Sequence, residues 1–186
     1  MLDKKDFESI RNDLEQFENQ RENVIRAARK VIQLSKRIIY SVHRGDLQIE
    51  PLIKEIKTAV KSLPEKYYDT DIDRVAVQEY VEAVCYYEFI KSRRMPTRKD
   101  LGVLTELYLL GLCDLTGELV RKAVFASINK DYKLVLEIKE LVQEIFGEFL
   151  KFDLRNGELR KKSDSIKYNL KKLEDITFEL KLKDKL

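Results

Sequence analysis

A chain of 186 residues with 44% hydrophobic side chains can bury one good core, and residues 1–186 read as a single domain. Charged residues make up 37%, yet 36 basic and 33 acidic side chains leave a net charge of only +3, so any nucleic-acid or membrane surface has to come from local clustering. A single histidine, His43, excludes metal motifs that need two, and no Gly-rich phosphate loop or Gly-x-Ser-x-Gly elbow is present, so catalysis would have to rest on carboxylates.

Only 6 Gly and 3 Pro, in a mixture rich in Leu, Lys, Glu, Ile, Val and Ala, predict long helices and few turns. The first helix is expected from about Asp3 to His43, with apolar residues at helical spacing from Phe7, Ile10, Leu14 and Phe17 through Val24, Ala28, Val31, Leu34 and Ile38. Its Phe7–Phe17 half carries more apolar surface than a small bundle needs; it either reaches into a partner subunit or forms a solvated end. Gly45 stops this helix, and Asp46 reads as the cap of a second one that has Glu50 and Pro51 near its first turn and ends before Pro64. A loop with Tyr67, Tyr68 and Asp69 leads to a third helix, Ile72 to Arg94, closed by Pro96. Thr97 with Asp100 reads as a capping pair for a fourth, running to about Asn129. A fifth is expected from Tyr132 to Phe152, and Asn156-Gly157 marks a turn. The last, Glu158 to about Lys183, places Leu159, Ile166, Leu170, Leu173, Ile176 and Leu180 along one face. No strand pattern appears, so the fold class is all-α, an antiparallel bundle of six or seven helices.

Cys85 and Cys113 lie in apolar helical stretches and read as buried free thiols. With no signal peptide, that usage predicts a cytoplasmic protein. Glu79, Glu82, Glu88 and Glu106 interrupt the longest apolar runs, so no membrane span is expected.

Two carboxylate pairs share helix faces: Glu79 with Glu82, three apart, and Asp114 with Glu118, four apart. In a chain this charged, such pairs usually belong to a solvated or salt-bridged stripe, and Arg121 is a ready local partner for Glu118. Both pairs, however, sit in the two most apolar helices, where an ionised group is costly unless paired or metal-bound. Gly111 and Gly117 flank Asp114, and glycines inside a helix often admit a close neighbour. If the two helices pack antiparallel, the four carboxylates converge. An all-oxygen set of this kind suits Mg²⁺ or Mn²⁺, which can activate water for phosphodiester cleavage.

At these residues the sequence resembles the translin/TRAX family. QEYVEAV (Gln78 to Val84) and DLTGELVR (Asp114 to Arg121) look like segments of its TRAX branch. LPEKYYDTDIDR (Leu63 to Arg74) is similar to the tyrosine-containing link of its translin branch, and LRKKSDSIKYNLKKLEDITFEL (Leu159 to Leu180) to the last helix of both. The resemblance implies an all-α fold assembled into closed homo-octameric shells, and Mg²⁺-dependent endoribonuclease activity on single-stranded RNA, with single-stranded DNA as a further ligand. It also implies catalytic and metal-holding roles for Glu79, Glu82 and Asp114, with Glu118 as a fourth member. A non-catalytic nucleic-acid-binding scaffold, as in the translin branch, is the alternative. At SINKDY (Ser127 to Tyr132) the chain departs from that branch, since Lys130 stands where a glycine is expected, and no nucleotide binding is inferred.

The candidates for holding RNA are Arg93, Arg94, Arg98 and Lys99 around Pro96, Tyr67, Tyr68 and Arg74 further upstream, and Arg37 and Arg44 near the end of the first helix. Arginine forks onto phosphate and tyrosine stacks on unpaired bases. Each has a plainer reading as a solvated loop or a core cover. His43 reads as a helix-end cap, Tyr86, Tyr87 and Phe89 as packing, and the Lys161-Lys162 pair as a solvated face.

Overall fold

Asp3 opens the longest helix, α1 (Lys4–His43), by accepting the backbone N–H groups of Lys5 at 2.9 Å and Asp6 at 3.4 Å. The structure, a computed structural model, describes residues 2–64, 68–183 and 185. At about 1.5 Å per residue, α1 is a rod of roughly 60 Å. Its buried stripe begins only at Val24 and continues through Ala28, Val31, Leu34, Ser35, Ile38, Ile39 and Val42. Before that point Phe7, Ile10 and Leu14 stand exposed.

α2 (Glu50–Lys61) runs back along α1, with Lys30 Nζ 3.1 Å from Glu55. Asp46 does not cap it, as the sequence had predicted, but accepts the Gln48 N–H at 3.1 Å inside the turn, while proline occupies the first turn of the helix itself. α3 (Ile72–Ser92) again follows the direction of α1, since the Lys36 charge acts on Glu79 and His43 meets Tyr86. α3 stops short of the expected Arg94 because Arg93 adopts a left-handed φ of 58° and returns its N–H to the Phe89 carbonyl.

The expected fourth helix is two. Thr97 and Asp100 form the capping box of α4 (Arg98–Leu101), but Gly102, at φ 68°, ends it within a turn. α5 (Thr105–Ile128) then starts afresh. The break carries the chain back, so α5 runs in the same sense as α3. Arg74 meets Glu106, Val81 meets Gly111, and Tyr86 reaches Glu118 through His43. α6 (Tyr132–Phe149), capped by Asp131 on the Leu134 N–H at 3.2 Å, ends three residues before the expected Phe152. α7 (Glu158–Leu182) returns alongside α5, with Lys162 opposite Asp114 and Asn169 opposite Thr116.

The described residues thus form a bundle of seven helices in which α1, α3, α5 and α7 point one way, each packed on the next, and α2 and α6 return between them. None of the described helices is long and apolar enough to cross a membrane. The core is filled by Ile38, Val81, Tyr86, Leu110, Leu115, Leu119, Ile138, Ile166 and Leu173. At its centre α3 and α5 nearly touch. A Cβ on Gly111 would lie 2.6 Å from Val81 Cβ and 2.9 Å from the Gln78 carbonyl oxygen. Only glycine permits that approach, which fixes the level at which both carboxylate pairs meet.

Candidate functional site

Four elements supply the site. α3 contributes Gln78, Glu79 and Glu82; α5 contributes Asp114, Glu118 and Arg121; α1 contributes Lys36 and His43; and α7 contributes Lys162. The two carboxylate pairs lie near enough for Asp114 and Glu118 to act on Glu79 and Glu82, on helices that run parallel and not, as expected, antiparallel. Lys162 Nζ donates to Asp114 Oδ2 at 2.6 Å and to Gln78 Oε1 at 3.2 Å, tying α7 to both helices. Glu118 Oε2 hydrogen-bonds His43 Nε2 and lies 3.7 Å from an Arg121 guanidinium nitrogen. Tyr86 and His43 Nδ1 are 3.1 Å apart on the other side of the ring.

Glu82 differs from the others. It is 9% exposed, and no hydrogen bond or ion pair reaches it among the described residues. Burial raises its carboxyl to about 8, helped by the like charges of Asp114, Glu79 and Glu118 and opposed by Lys162. Glu79 is also raised, first by burial, although Lys36 counteracts this. Glu118 moves the other way, lowered chiefly by its hydrogen bond to His43. Asp114 and Glu118 both push Glu79 and Glu82 upward, as neighbouring charges in one site do. The four gather negative charge in a place where Lys36 and Lys162 compensate only part of it.

Among the described residues no three His, Cys, Asp or Glu side chains are drawn closely enough together to enclose a metal ion in this conformation. The donor set itself is all oxygen, as a hard divalent ion requires. Glu82, buried and unpartnered, is the oxygen donor that such an ion would satisfy.

Lys162 and His43 are among the site residues that the sequence reading did not find. Lys162 lies one turn before Ile166 on the stripe that α7 buries through Leu170 and Leu173. That register was the available sign that it faces inward. Likewise His43 follows the buried Ile39 by one turn, and its side chain is only 4% exposed.

The candidate RNA contacts are dispersed. Arg93 is occupied within the fold, with Nε 2.5 Å from Glu137 and its guanidinium donating to the Ile90 carbonyl at 2.6 Å. Arg74 pairs with Glu106 at 2.7 Å. Arg94 lies 3.7 Å from Asp100 and Arg44 stacks over Tyr40 at 5.6 Å, both remaining exposed. Arg37, Arg98 and Lys99 are exposed and have no acidic partner among the described residues. Tyr68 packs on Phe17 with ring centroids 5.6 Å apart. Tyr67 lies outside the described residues.

The Translin family profile matches residues 19–184. The chain belongs to the Translin family. Translin-associated protein X from Pongo abelii is 25% identical over 95% of this chain and 78% of its own length. Its homologue from Schizosaccharomyces pombe is 25% identical over 96% of this chain and 88% of its own. Translin from Gallus gallus is 36% identical over 59% of this chain and 54% of its own. Two solved structures share the fold over nearly the full length. Apo-NeC3PO has a TM-score of 0.85 at 28% identity, covering 95% of this chain and 96% of that one. AfC3PO in its duplex RNA complex has a TM-score of 0.82 at 26% identity, with coverage of 95% and 96%. Similarity to both branches fits a Translin-family chain whose sequence carries segments typical of each.

Proposed function

We propose that this chain is a metal-dependent endoribonuclease that cuts single-stranded RNA with little sequence preference and works as a closed homo-oligomer, an octamer by analogy with its family. The observation that carries the reading is the grouping of half-buried Glu79, Asp114 and Glu118 around buried Glu82, and Glu82 above all. An unpartnered carboxylate held at about 8 among like charges is a poor structural device and a good ligand. The four carboxylates would hold Mg²⁺ or Mn²⁺. The ion would supply an activated water and charge stabilisation for phosphodiester cleavage.

The chain's own groups divide the remaining work. Lys162 neutralises Asp114, and its ammonium is a donor that a phosphate oxygen bound beside the carboxylates could share. Arg37, Arg98 and Lys99, exposed and without acidic partners among the described residues, are suited to phosphate contacts, with Arg94 and Arg44 beside them. Arginine, lysine and tyrosine grip backbone and any base face, which favours binding without base readout.

A non-catalytic RNA- or DNA-binding scaffold is the second reading, favoured by the pairing of Asp114 with Lys162 and of Glu118 with His43, as in a structural network. Cleavage of a labelled RNA with Mg²⁺, and again with EDTA, separates the two. EDTA-sensitive cutting is expected, and binding without cutting in any divalent ion would establish the scaffold.

A further inference from the structure

The only histidine of this chain is buried where a helix-end cap would be solvated. His43 closes α1, yet its ring lies between Tyr86 of α3 and Glu118 of α5, with Phe125 edge-on at 6.2 Å. Lys122 fixes the same helix end by donating to the Val42 carbonyl at 3.1 Å. Tyr86 is fully buried, and its hydroxyl has no hydrogen bond other than the one to His43 among the described residues.

With a neutral ring, the hydrogen bonds allow one arrangement. A carboxylate only accepts, so Nε2 must carry the proton that goes to Glu118 Oε2. In the neutral ring Nδ1 is left as an acceptor, and the Tyr86 hydroxyl supplies the donor it needs. The chain is therefore directional, from Tyr86 through His43 to Glu118, and both ring nitrogens are satisfied. Glu118 Oε1 receives no hydrogen bond among the described residues, because His43 and Arg121 both address Oε2.

We infer that Tyr86 and His43 form a positioning chain that locks Glu118 by one oxygen and presents the other to the divalent ion and substrate of the carboxylate site. The inference rests on the metal-dependent reading given above. His43 touches neither substrate nor ion; it acts through Glu118. This one ring joins three of the four helices that build the site, so the orientation of Glu118 follows the packing of α1 against α3 and α5. Partners that orient a metal-binding carboxylate matter nearly as much as the ligand itself, typically 10–100-fold in metal affinity or activity.

The test uses the full-length protein and three substitutions, His43→Phe, His43→Gln and Tyr86→Phe. Glutamine places an amide N–H where Nε2 donates, and phenylalanine places none. Mn²⁺ affinity by titration calorimetry and Mg²⁺-dependent cleavage should fall about 10–100-fold in His43→Phe, recover most of that in His43→Gln, and fall several-fold in Tyr86→Phe. Because the chain has one histidine, a ¹⁵N spectrum of the metal-free protein reads its tautomer directly. A proton on Nε2 and none on Nδ1 is expected, with the signals shifting when Mg²⁺ is added. Should His43→Phe fail to fold, Tyr86→Phe and the tautomer still decide the matter. Wild-type Mn²⁺ affinity and cleavage in the folded variants, or a proton found on Nδ1 instead, would overturn the chain while leaving the nuclease reading intact. Wild-type protein that neither binds Mn²⁺ nor cuts RNA would overturn both.

Discussion

Lys162 Nζ lies 2.6 Å from Asp114 Oδ2, so an ammonium from α7 already occupies the edge of a carboxylate cluster built by α3 and α5. The same nitrogen opposes the upward shift of Glu82. Lys162→Met should therefore leave the cluster with a larger excess of negative charge in the metal-free protein. Both partners are about one-third exposed, so solvent screening limits the loss in stability to about 1 kcal/mol. Mg²⁺ should restore more thermal stability to this variant than to the wild type, because the added charge replaces the missing one. Differential scanning fluorimetry with and without Mg²⁺ checks this, and equal stabilisation of both proteins would count against a shared cluster.

Neutralising Glu82 separates a functional carboxylate from a structural one. Its folded-state value, about 8, lies above the ordinary 4.5, so its contribution to stability is fully present below about pH 4.5 and is lost as pH rises towards about 8. Glu82→Gln removes that loss. In the absence of metal, the variant should match the wild type near pH 4.5 and be progressively more stable towards pH 8, by up to several kcal/mol. Cleavage should disappear in Glu82→Gln and in Asp114→Asn alike. Denaturant melts across this pH range, paired with cleavage assays, read both effects. A Glu82→Gln protein that is less stable at pH 8, or still cuts at the wild-type rate, would remove Glu82 from the site.

Much of this arrangement was legible in the chain, for identifiable reasons. Glu79, Glu82 and Asp114 stood out because charge inside an apolar helix needs an explanation, and Gly111 because a helix-interior glycine signals a close neighbour. The Thr97–Asp100 box was also readable. What escaped were relations between distant segments. The stop at Gly102 turns one expected helix into α4 and α5 and so makes α3 and α5 parallel, which no local pattern near the carboxylates records. Lys162 and His43 join the site as single residues from far along the chain. Each follows a buried stripe by register, but a lone polar residue on such a stripe has many plainer readings.

The basic residues around Pro96 divide into two groups with different expected phenotypes. Arg93 ties α3 to α6 through Glu137 and covers the α3 carbonyls, so Arg93→Ala should lower thermal stability more than RNA affinity. Arg98 and Lys99 make no such side-chain contacts among the described residues. Replacing both with Ala should leave the melting temperature nearly unchanged, weaken binding alike on unrelated sequences, and reduce the salt slope of log K by about 2. Fluorescence anisotropy over a salt series measures the slope. An unchanged slope would place the RNA elsewhere on the protein.

The exposed first half of α1 argues for assembly. Phe7 and Leu14 are 43% and 63% exposed on a helix that continues well beyond the core it helps to form. Such apolar surface on an otherwise polar rod is most stable when covered by another copy. Light scattering should give a homo-oligomer well above dimer size, and Leu14→Asp should reduce it while preserving helix content. A 22.0 kDa particle at micromolar concentration in the wild type would contradict this.

Strand preference is the last expectation, and it tests how RNA reaches the carboxylates. The related AfC3PO chain was solved with duplex RNA, so a duplex is the proper competitor and binding must be measured apart from cutting. Glu82 is buried and its neighbours only half-exposed, so on the nuclease reading a scissile phosphate would have to approach closely between helices. A single strand bends around each phosphate, whereas a duplex holds its backbone on a stiff cylinder and presents one phosphate at a time at a fixed angle. Duplex can therefore bind the exposed cations as tightly as a single strand and still be cut slowly. One labelled RNA, alone and annealed to its complement, should show similar affinity at low salt and clearly faster cleavage of the free strand. Tyr68, if it stacks on an unpaired base in addition to packing on Phe17, should contribute about 1–3 kcal/mol to single-strand binding and little to duplex binding. Equal or faster cutting of the annealed RNA would defeat the single-strand assignment even with the carboxylates proved catalytic, because the site would then have to admit a rigid backbone.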